Sequence, residues 1–435
     1  MSSSAHRNAQ IYNGEDVAAV VFDIGSHSFR AGYSGEGFPM GDIPSVAGVR
    51  VLLDSVDNTI DAVPRPKKKK YFIGESTVTV PRKNTEVATF LQDGMIHDWD
   101  LFEAYLNYIY SKILSTESKN HSALFSEPVW NSKNCREKLA EVMFEKYDVP
   151  AFYIMKNAVL TVFANGRTGG LVVDSGASHT SAVPVHDGHC LTQGVVRSPM
   201  GGDLVVDQCY EMLKQHDIEV VPSYKIAEKK EVGENETPIW TLKKNLPAVS
   251  GSYDRYMKKR VVEDLACSVL QISDSPFEAE HGENLPSSLY GFPCGAKKDF
   301  QADRLKVVEG LFDLNFLTCR SSNAKKSLLT IPEIVSKSVD KCDIDLRPAL
   351  LSSVMVTGGN SNLPGFFERL RNDLTEKCSP TVKLRLSSLQ TATERRFSAW
   401  IGGSVVGSLG TFQQMWISKV QYGESGKGIV EEKCS

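Results

Sequence analysis

The sequence has no C-x-x-C pair, although nine cysteines are scattered from Cys135 to Cys434. That spacing argues against a zinc knuckle and against a disulfide-stapled secreted domain; it reads as reduced structural thiols of a cytosolic or nuclear protein. No stretch approaches eighteen consecutive apolar residues, so no membrane-spanning helix is expected. The opening residues, MSSSAHRNAQ, are polar and lack the apolar core of a secretory signal. Cys434 stands too near the end to form a prenylation box. A large excess of either charge is missing too. The formal net charge is −4 over 435 residues, so the molecule as a whole is not a polyanion binder, and any nucleic-acid contact must be local or carried by a partner. That length allows two or more domains, or one large two-lobed body.

What the chain does have is an internal repeat. VVFDIGSHSFRAGY, starting at Val20, and LVVDSGASHTSAVPV, from Leu171 to Val185, share one layout. Each runs through β-branched residues to Asp, one residue, Gly, a small or polar turn and a second alternating run. Each therefore predicts strand, tight turn, strand, with an acid, Asp23 or Asp174, at its tip. Two such modules predict duplicated lobes that face each other. A third stretch, SVMVTGGNSNLPGFFERL, predicts a strand at Val354–Val356 and a turn at Gly358, Gly359 and Asn360. A helix follows, with Pro364 near its first turn and Phe366, Phe367, Leu370 and Leu374 along one face. Strand, glycine turn and helix start are a common way to bring backbone amides to a ligand.

Amphipathic helices are predicted over NSKNCREKLAEVMFEKY, capped by Asn131 or Ser132, and over DWDLFEAYLNYIYSKIL. Strands alternating with such helices give an α/β class. Glu228–Glu236 is dense in charge and Ser273–Ser288 mixes Pro, Gly, Ser and acids; both read as long solvated loops. Val49–Lys70 reads as a third, ending in PRPKKKK. Its Lys67, Lys68, Lys69 and Lys70 are either a solvated tip or a nuclear-import or nucleic-acid contact.

Four further stretches are distinctive: ERRFSAWIGGSVVGSLGTFQQMWISKVQYGESG, MKNAVLTVFANGRTGGLVVDSG, KCDIDLRPAL, and ERLRNDL after TGGN. On these the chain resembles the actin family from about Val17 to its end. The resemblance implies the two-lobed α/β fold shared with sugar kinases and chaperone ATPases, closing on a nucleotide between its lobes. It implies a flexible segment at 1–16, a first lobe at 17–165 and 395–435 with an insertion at about 49–71, and a second lobe at 166–394 with loops at about 223–247 and 273–289. DSGASHTSAVPVHDGH, EGLFD, SVLQISDS and TFQQMWISK narrow the resemblance to nuclear actin-like subunits of SWI/SNF (BAF-type) chromatin remodellers, which are shared with other remodelling and histone-acetyltransferase assemblies.

The two hairpins then correspond to the family's phosphate loops. In the first, Asp23, Gly25, Ser26, His27 and Arg30 match; Asp23 would hold water around a divalent cation, Mg or Ca, and Ser26 with the turn amides would meet the β- or γ-phosphate of ATP. Arg30 stands where conventional actin has lysine, and a planar fork is not equivalent to a point charge. His27 replaces glycine, which reduces room for close backbone approach; it reads as a solvent-facing turn residue. In the second, Asp174, Ser175, Gly176, Ala177 and Ser178 match; Asp174 again faces cation waters, but Ala177 replaces an acid. Thr357, Gly358, Gly359 and Asn360 match the loop that supports the α-phosphate and adenosine, and Arg396 matches a lysine beside the adenine. Ala266 and Cys267 replace a Lys-Glu pair on the adenine side. Asn157 takes the place of the glutamine that orients the attacking water, one methylene short. The expectation is a cleft that holds ATP as a structural ligand with weak or absent hydrolysis, and no catalytic residue.

The resemblance also implies a partner groove at Phe163, Thr168, Val406, Leu409, Thr411 and Met415. Core packing is the competing reading for several of these, Val406 and Leu409 above all. A groove of this kind would receive an amphipathic helix of a remodeller ATPase, with actin bound beside it and nucleosomes met through those partners. The insertion after Val49 sits where conventional actin has a shorter filament contact, so polymerisation is not expected. An actin-fold ATPase and a cytoskeletal actin-related protein are the alternatives.

Overall fold

The computed structural model describes residues 18–52, 68–234, 236–278, 286–320, 322–379 and 382–434. The 1–16 segment, Lys67, and parts of the segments expected as loops after Val49 and Ser273 lie outside them.

The two β-branched runs form central strands. Val20, Val21 and Phe22, like Leu171, Val172 and Val173, are almost wholly buried, as strands covered on both faces require. Val20–Ile24 pairs antiparallel with Ser28–Tyr33 and parallel with Ala123–Glu127. The sheet runs Gly41–Pro44, Ser28–Tyr33, Val20–Ile24, Ala123–Glu127, Ala151–Lys156, with Ile417–Ser418 at its far edge. The second sheet repeats this order: His189–Cys190, Thr180–His186, Gly170–Ser175, Val354–Thr357, Leu386–Ser387, with Val196–Ser198 added beside Thr180–His186. The two hairpin turns are the same length. Gly25 donates its amide to the Ser28 carbonyl at 3.1 Å, and Gly176 donates to His179 at 3.0 Å. Loops of two residues, Ser26–His27 and Ala177–Ser178, therefore form the tips.

Each sheet carries its own core. One core draws on residues from Ala19 to Leu160 and from Trp400 to Cys434, the other on residues from Leu171 to Leu374. The helix Asn157–Ala164 belongs to both sides. Leu160 packs into the first core, while Ala158, Val159 and Val162 join Val172, Val183, Val185 and Met355 of the second sheet. The helix Ala392–Ser408, opened by a capping box between Thr391 and Glu394, lies against it. A Cβ on Gly402 would stand 1.8 Å from the Leu160 carbonyl, so only glycine permits this crossing. Trp400 is fully buried and donates its indole N–H to the Val21 carbonyl at 3.1 Å.

Two expected helices start at side-chain caps, Ser132 for Lys133–Glu141 and Asp98 for Trp99–Tyr108, and both continue into a π turn. Two segments expected as loops are more ordered. Ile226–Lys230 and Ile239–Leu242 form an antiparallel hairpin around the charged stretch. It is tied down from about sixty residues away: Lys297 pairs with Glu231 at 3.0 Å, and Gly295 packs on the Lys230 carbonyl. Both ends of the segment after Val49 are strands too. Val46–Val51 is the middle of a three-stranded sheet between Lys69–Phe72 and Glu86–Thr89.

Candidate nucleotide cleft

The two hairpin tips meet across a cavity of about 430 Å³, within the roughly 300–1,000 Å³ typical of small-molecule sites. Asp23, Gly25, Ser26, His27, Arg30, Asp174, Gly176, Ala177, Ser178, Gly358, Gly359, Asn360 and Arg396 line it, together with Asn157, Thr357, Ala266 and Cys267. Ser175 does not. Strand alternation turns it away from the side that Asp174 faces, and it is fully buried. Its hydroxyl pairs with Thr180 at 2.8 Å and accepts from the Asn360 amide at 3.1 Å, so Ser175 braces the third loop. Gly358 needs to be glycine: its φ is +91°, and a Cβ there would lie 2.3 Å from the Ser175 carbonyl.

The two acids differ in environment. Asp23 accepts from Arg30 at 2.6 Å through one oxygen and from Ser126 at 2.6 Å through the other. Arg30 also lies 3.5 Å from Asp42, which in turn accepts from Arg396 at 2.9 Å. Asp174 has no such cation against it. Burial first, and then repulsion by Asp23, push its pKa up to about 6, with Arg30 acting in the opposite direction. Removing a carboxylate from water without a partner has this consequence.

Two residues that line the cavity carry buried polar atoms with no hydrogen-bond partner, Asn362 Oδ1 and Arg395 Nε. Each such orphan costs about 1–3 kcal/mol unless something satisfies it. Among the described residues no three His, Cys, Asp or Glu side chains cluster as a metal site. Two facing carboxylates fit a hydrated cation that takes its remaining ligands from phosphates.

Contacts that close the cleft left no sequence signal, because their partners are about fifty to more than two hundred residues apart. Ser26 and Ser178 join hydroxyls at 3.0 Å between the two tips. His27 is exposed, and its Nδ1 stands 3.8 Å from Glu263 of the second lobe. On one side Arg197 grips Asp93 with two hydrogen bonds, 2.6 and 2.8 Å, and lies 4.5 Å over the Trp130 ring. Arg197 thereby holds the Asp93 pKa below the usual carboxylate range. Trp130 meets His179 edge-on at 4.7 Å; burial and then the Arg197 charge lower the His179 pKa to about 4. On the other side, the first lobe is strapped to the start of the helix Gly251–Val269. Ser250 donates to the Thr85 carbonyl at 2.7 Å, Tyr253 to the Thr79 carbonyl at 2.5 Å, and the Val87 amide donates to Ser252 at 2.9 Å.

In the expected partner groove, Thr168, Leu409, Thr411 and Met415 are exposed and Phe163 is half-buried. Val406 is not part of it. It is 2% exposed and packs in the first core, whereas its neighbour Val405 is 41% exposed. The Gly402–Leu160 crossing fixes the rotation of that helix and turns position 406 inward. Lys68, Lys69 and Lys70 are exposed. No described helix is long and apolar enough to cross a membrane.

The family model for actin matches residues 14–435. Actin-related protein 4 of Arabidopsis thaliana is 35% identical over 443 residues, covering 98% of this chain and all of the relative. Actin-related protein 4 of Oryza sativa subsp. indica is 35% identical over 446 residues, with 98% and 100% covered. The protein of the same name in Yarrowia lipolytica is 34% identical over 429 residues, with 98% and 97% covered.

Proposed function

The chain belongs to the actin family, and from that premise we propose that it is a non-catalytic actin-related subunit of a nuclear chromatin-remodelling complex. ATP with Mg or Ca is its structural ligand, held by Asp23, Asp174 and the three turns. What supports this reading is the composition of the cleft wall: both acids and the tight turns face the cavity, and so do Asn157 and Ala177, at positions where the resemblance to conventional actin implies a longer amide and an acid. Phosphoryl transfer is mostly positioning, and a displacement of about 1 Å costs on the order of 100-fold. A ligand bound only by the folded state stabilises it without turnover. The groove beside Phe163, Leu409 and Met415 takes an amphipathic helix of the remodeller ATPase, and actin binds alongside.

A pull-down from nuclear extract, read by mass spectrometry, tests the partner half. Recovery with a remodeller ATPase and actin is expected; recovery of a free cytosolic monomer alone would sink it. A single-turnover assay with radiolabelled ATP tests the cleft half. ATP binding with little product is expected, whereas turnover at the rate of conventional actin, abolished by Asp174→Ala, would make the chain an ATPase.

A further inference from the structure

The small sheet of Lys69–Phe72, Val46–Val51 and Glu86–Thr89 gathers positive charge on one face. Its strands place Arg50 directly opposite Lys70, and like charges facing each other across strands are destabilising. Both side chains turn to the ring of Phe72, Arg50 at 5.4 Å and Lys70 at 5.5 Å from its centre. Arg82, from outside the sheet, joins them at 4.1 Å. The two arginines are held by neutral acceptors, Arg50 by the Thr85 hydroxyl at 3.1 Å and Arg82 by the Val80 carbonyl at 2.9 Å. Burial and then the Arg50 charge draw the Arg82 pKa below the usual guanidinium range. Lys69, on the opposite face by strand alternation, has Asp100 at 3.8 Å. Among the described residues no carboxylate is within ion-pair distance of Arg50, Lys68, Lys70 or Arg82.

Lysines on an edge strand blunt sheet-to-sheet aggregation, and that explains Lys69 and Lys70. It explains neither Arg50, in the middle strand, nor Arg82, which the chain brings in from beyond the sheet. Three cations around one aromatic ring, two of them fixed by neutral groups, with the exposed Lys68 two residues from Lys70, are arranged for an anion. They lie on an open sheet face and not in a cavity, so the anion is an extended one. We propose that Arg50, Lys70 and Arg82, grouped around Phe72, together with the exposed Lys68, bind the phosphate backbone of double-stranded DNA without reading its sequence. Arginine forks and lysine point charges contact phosphates in this way, and such contacts position a protein on a duplex without specifying bases. With a net charge of −4 over the whole chain, the attraction is local. The inference does not depend on the cleft or the groove.

The test is fluorescence anisotropy of the full chain with two duplexes of unrelated sequence, titrated with salt. The wild type binds both equally, and log K falls linearly with log salt. The double variant Lys68→Glu, Lys70→Glu flattens that slope by about 1.8, close to 0.9 for each lost phosphate contact. The control Lys112→Glu, Lys337→Glu changes net charge equally at exposed positions elsewhere and keeps the slope. Thermal melts confirm that both variants are folded. Equal losses in both variants, no duplex binding by the wild type, or preference for a polyglutamate peptide over duplex would each overturn the proposal.

Discussion

Asp23 gives its two oxygens to Arg30 and Ser126, whereas Asp174 faces the same cavity with a pKa near 6. Under the proposed function, this end of the cleft would keep its acids while Asn157 and Ala177 would leave it short of the groups that position an attacking water. Asn157 is the change with the clearest consequence, because one methylene sets the reach of its amide. Asn157→Gln is expected to raise single-turnover ATP hydrolysis by on the order of 10- to 100-fold while leaving ATP affinity within about twofold. An unchanged rate would mean that the shortened side chain is not what limits hydrolysis.

His179 supplies a pH dependence. Its neutral ring packs on Trp130 beside the Arg197 cation, and its pKa is about 4 against an ordinary 6.5. A base whose pKa falls on folding binds more protons when unfolded. Its contribution to stability is therefore complete above pH 6.5 and is lost as pH falls towards 4. Because the ring is only half-buried, the loss is discounted to about 1–2 kcal/mol. Urea melts at pH 7 and pH 4.5 should show a smaller difference for His179→Gln than for the wild type. The same difference in both would remove His179 from the acid limb.

The two helices that join the lobes depend on contact at bonding-group distance. Gly402 lets Ala392–Ser408 lie on the Leu160 carbonyl, and a Cβ would fall 1.8 Å from that oxygen. Gly402→Ala should therefore cost about 3 kcal/mol or more, the upper end for overpacking. Gly423, inside the helix Lys419–Ser425, has nothing within 4 Å of its Cβ position. Gly423→Ala should gain up to about 1 kcal/mol from helix propensity. Parallel chemical melts separate the two; equal effects would show that the crossing is looser than its geometry.

This crossing also explains what could be read in advance. The hairpins at Val20 and Leu171 were legible because a β-branched run, an acid and a two-residue turn are all local signals. The cap before Lys133 was legible as Asn131 or Ser132, and the structure selects Ser132. Val406 was assigned to the groove and Val405 was not, because helix rotation is set by a contact with Leu160, far away in sequence. The charged stretch Glu228–Glu236 read as a loop because its anchors, Gly295 and Lys297, lie in another segment. Ser175 sits inside a motif whose neighbours face the cavity, but strand alternation turns it to the other side, which the motif does not encode. The Asp93–Arg197 clasp has no local pattern at all.

Both sides of the cleft are bridged between the lobes, at Asp93–Arg197 and at the strap to Tyr253. How the protein opens decides how those bridges combine. If the lobes swing as rigid bodies about the paired helices, both sides part in one motion, and every bridge contributes to the barrier for ligand release. Each neutral hydrogen bond contributes about 1 kcal/mol. Ser252→Ala with Tyr253→Phe removes two neutral hydrogen bonds and the bond from Ser252 to the Glu86 carboxylate, at least about 2 kcal/mol, or at least about thirtyfold in off-rate. Arg197→Met breaks a half-exposed ion pair, worth about 1 kcal/mol and about fivefold. Rigid-body opening then predicts that the combined variant multiplies the two effects to at least about 150-fold, since the sites share no partners. Release of a fluorescent ATP analogue into excess unlabelled ATP reads all three variants. If the strap alone peels back while the clasp stays shut, Arg197→Met leaves the off-rate at the wild-type value, with or without the strap mutations. The product of the two effects is therefore the quantity that distinguishes a hinged molecule from one with a local lid.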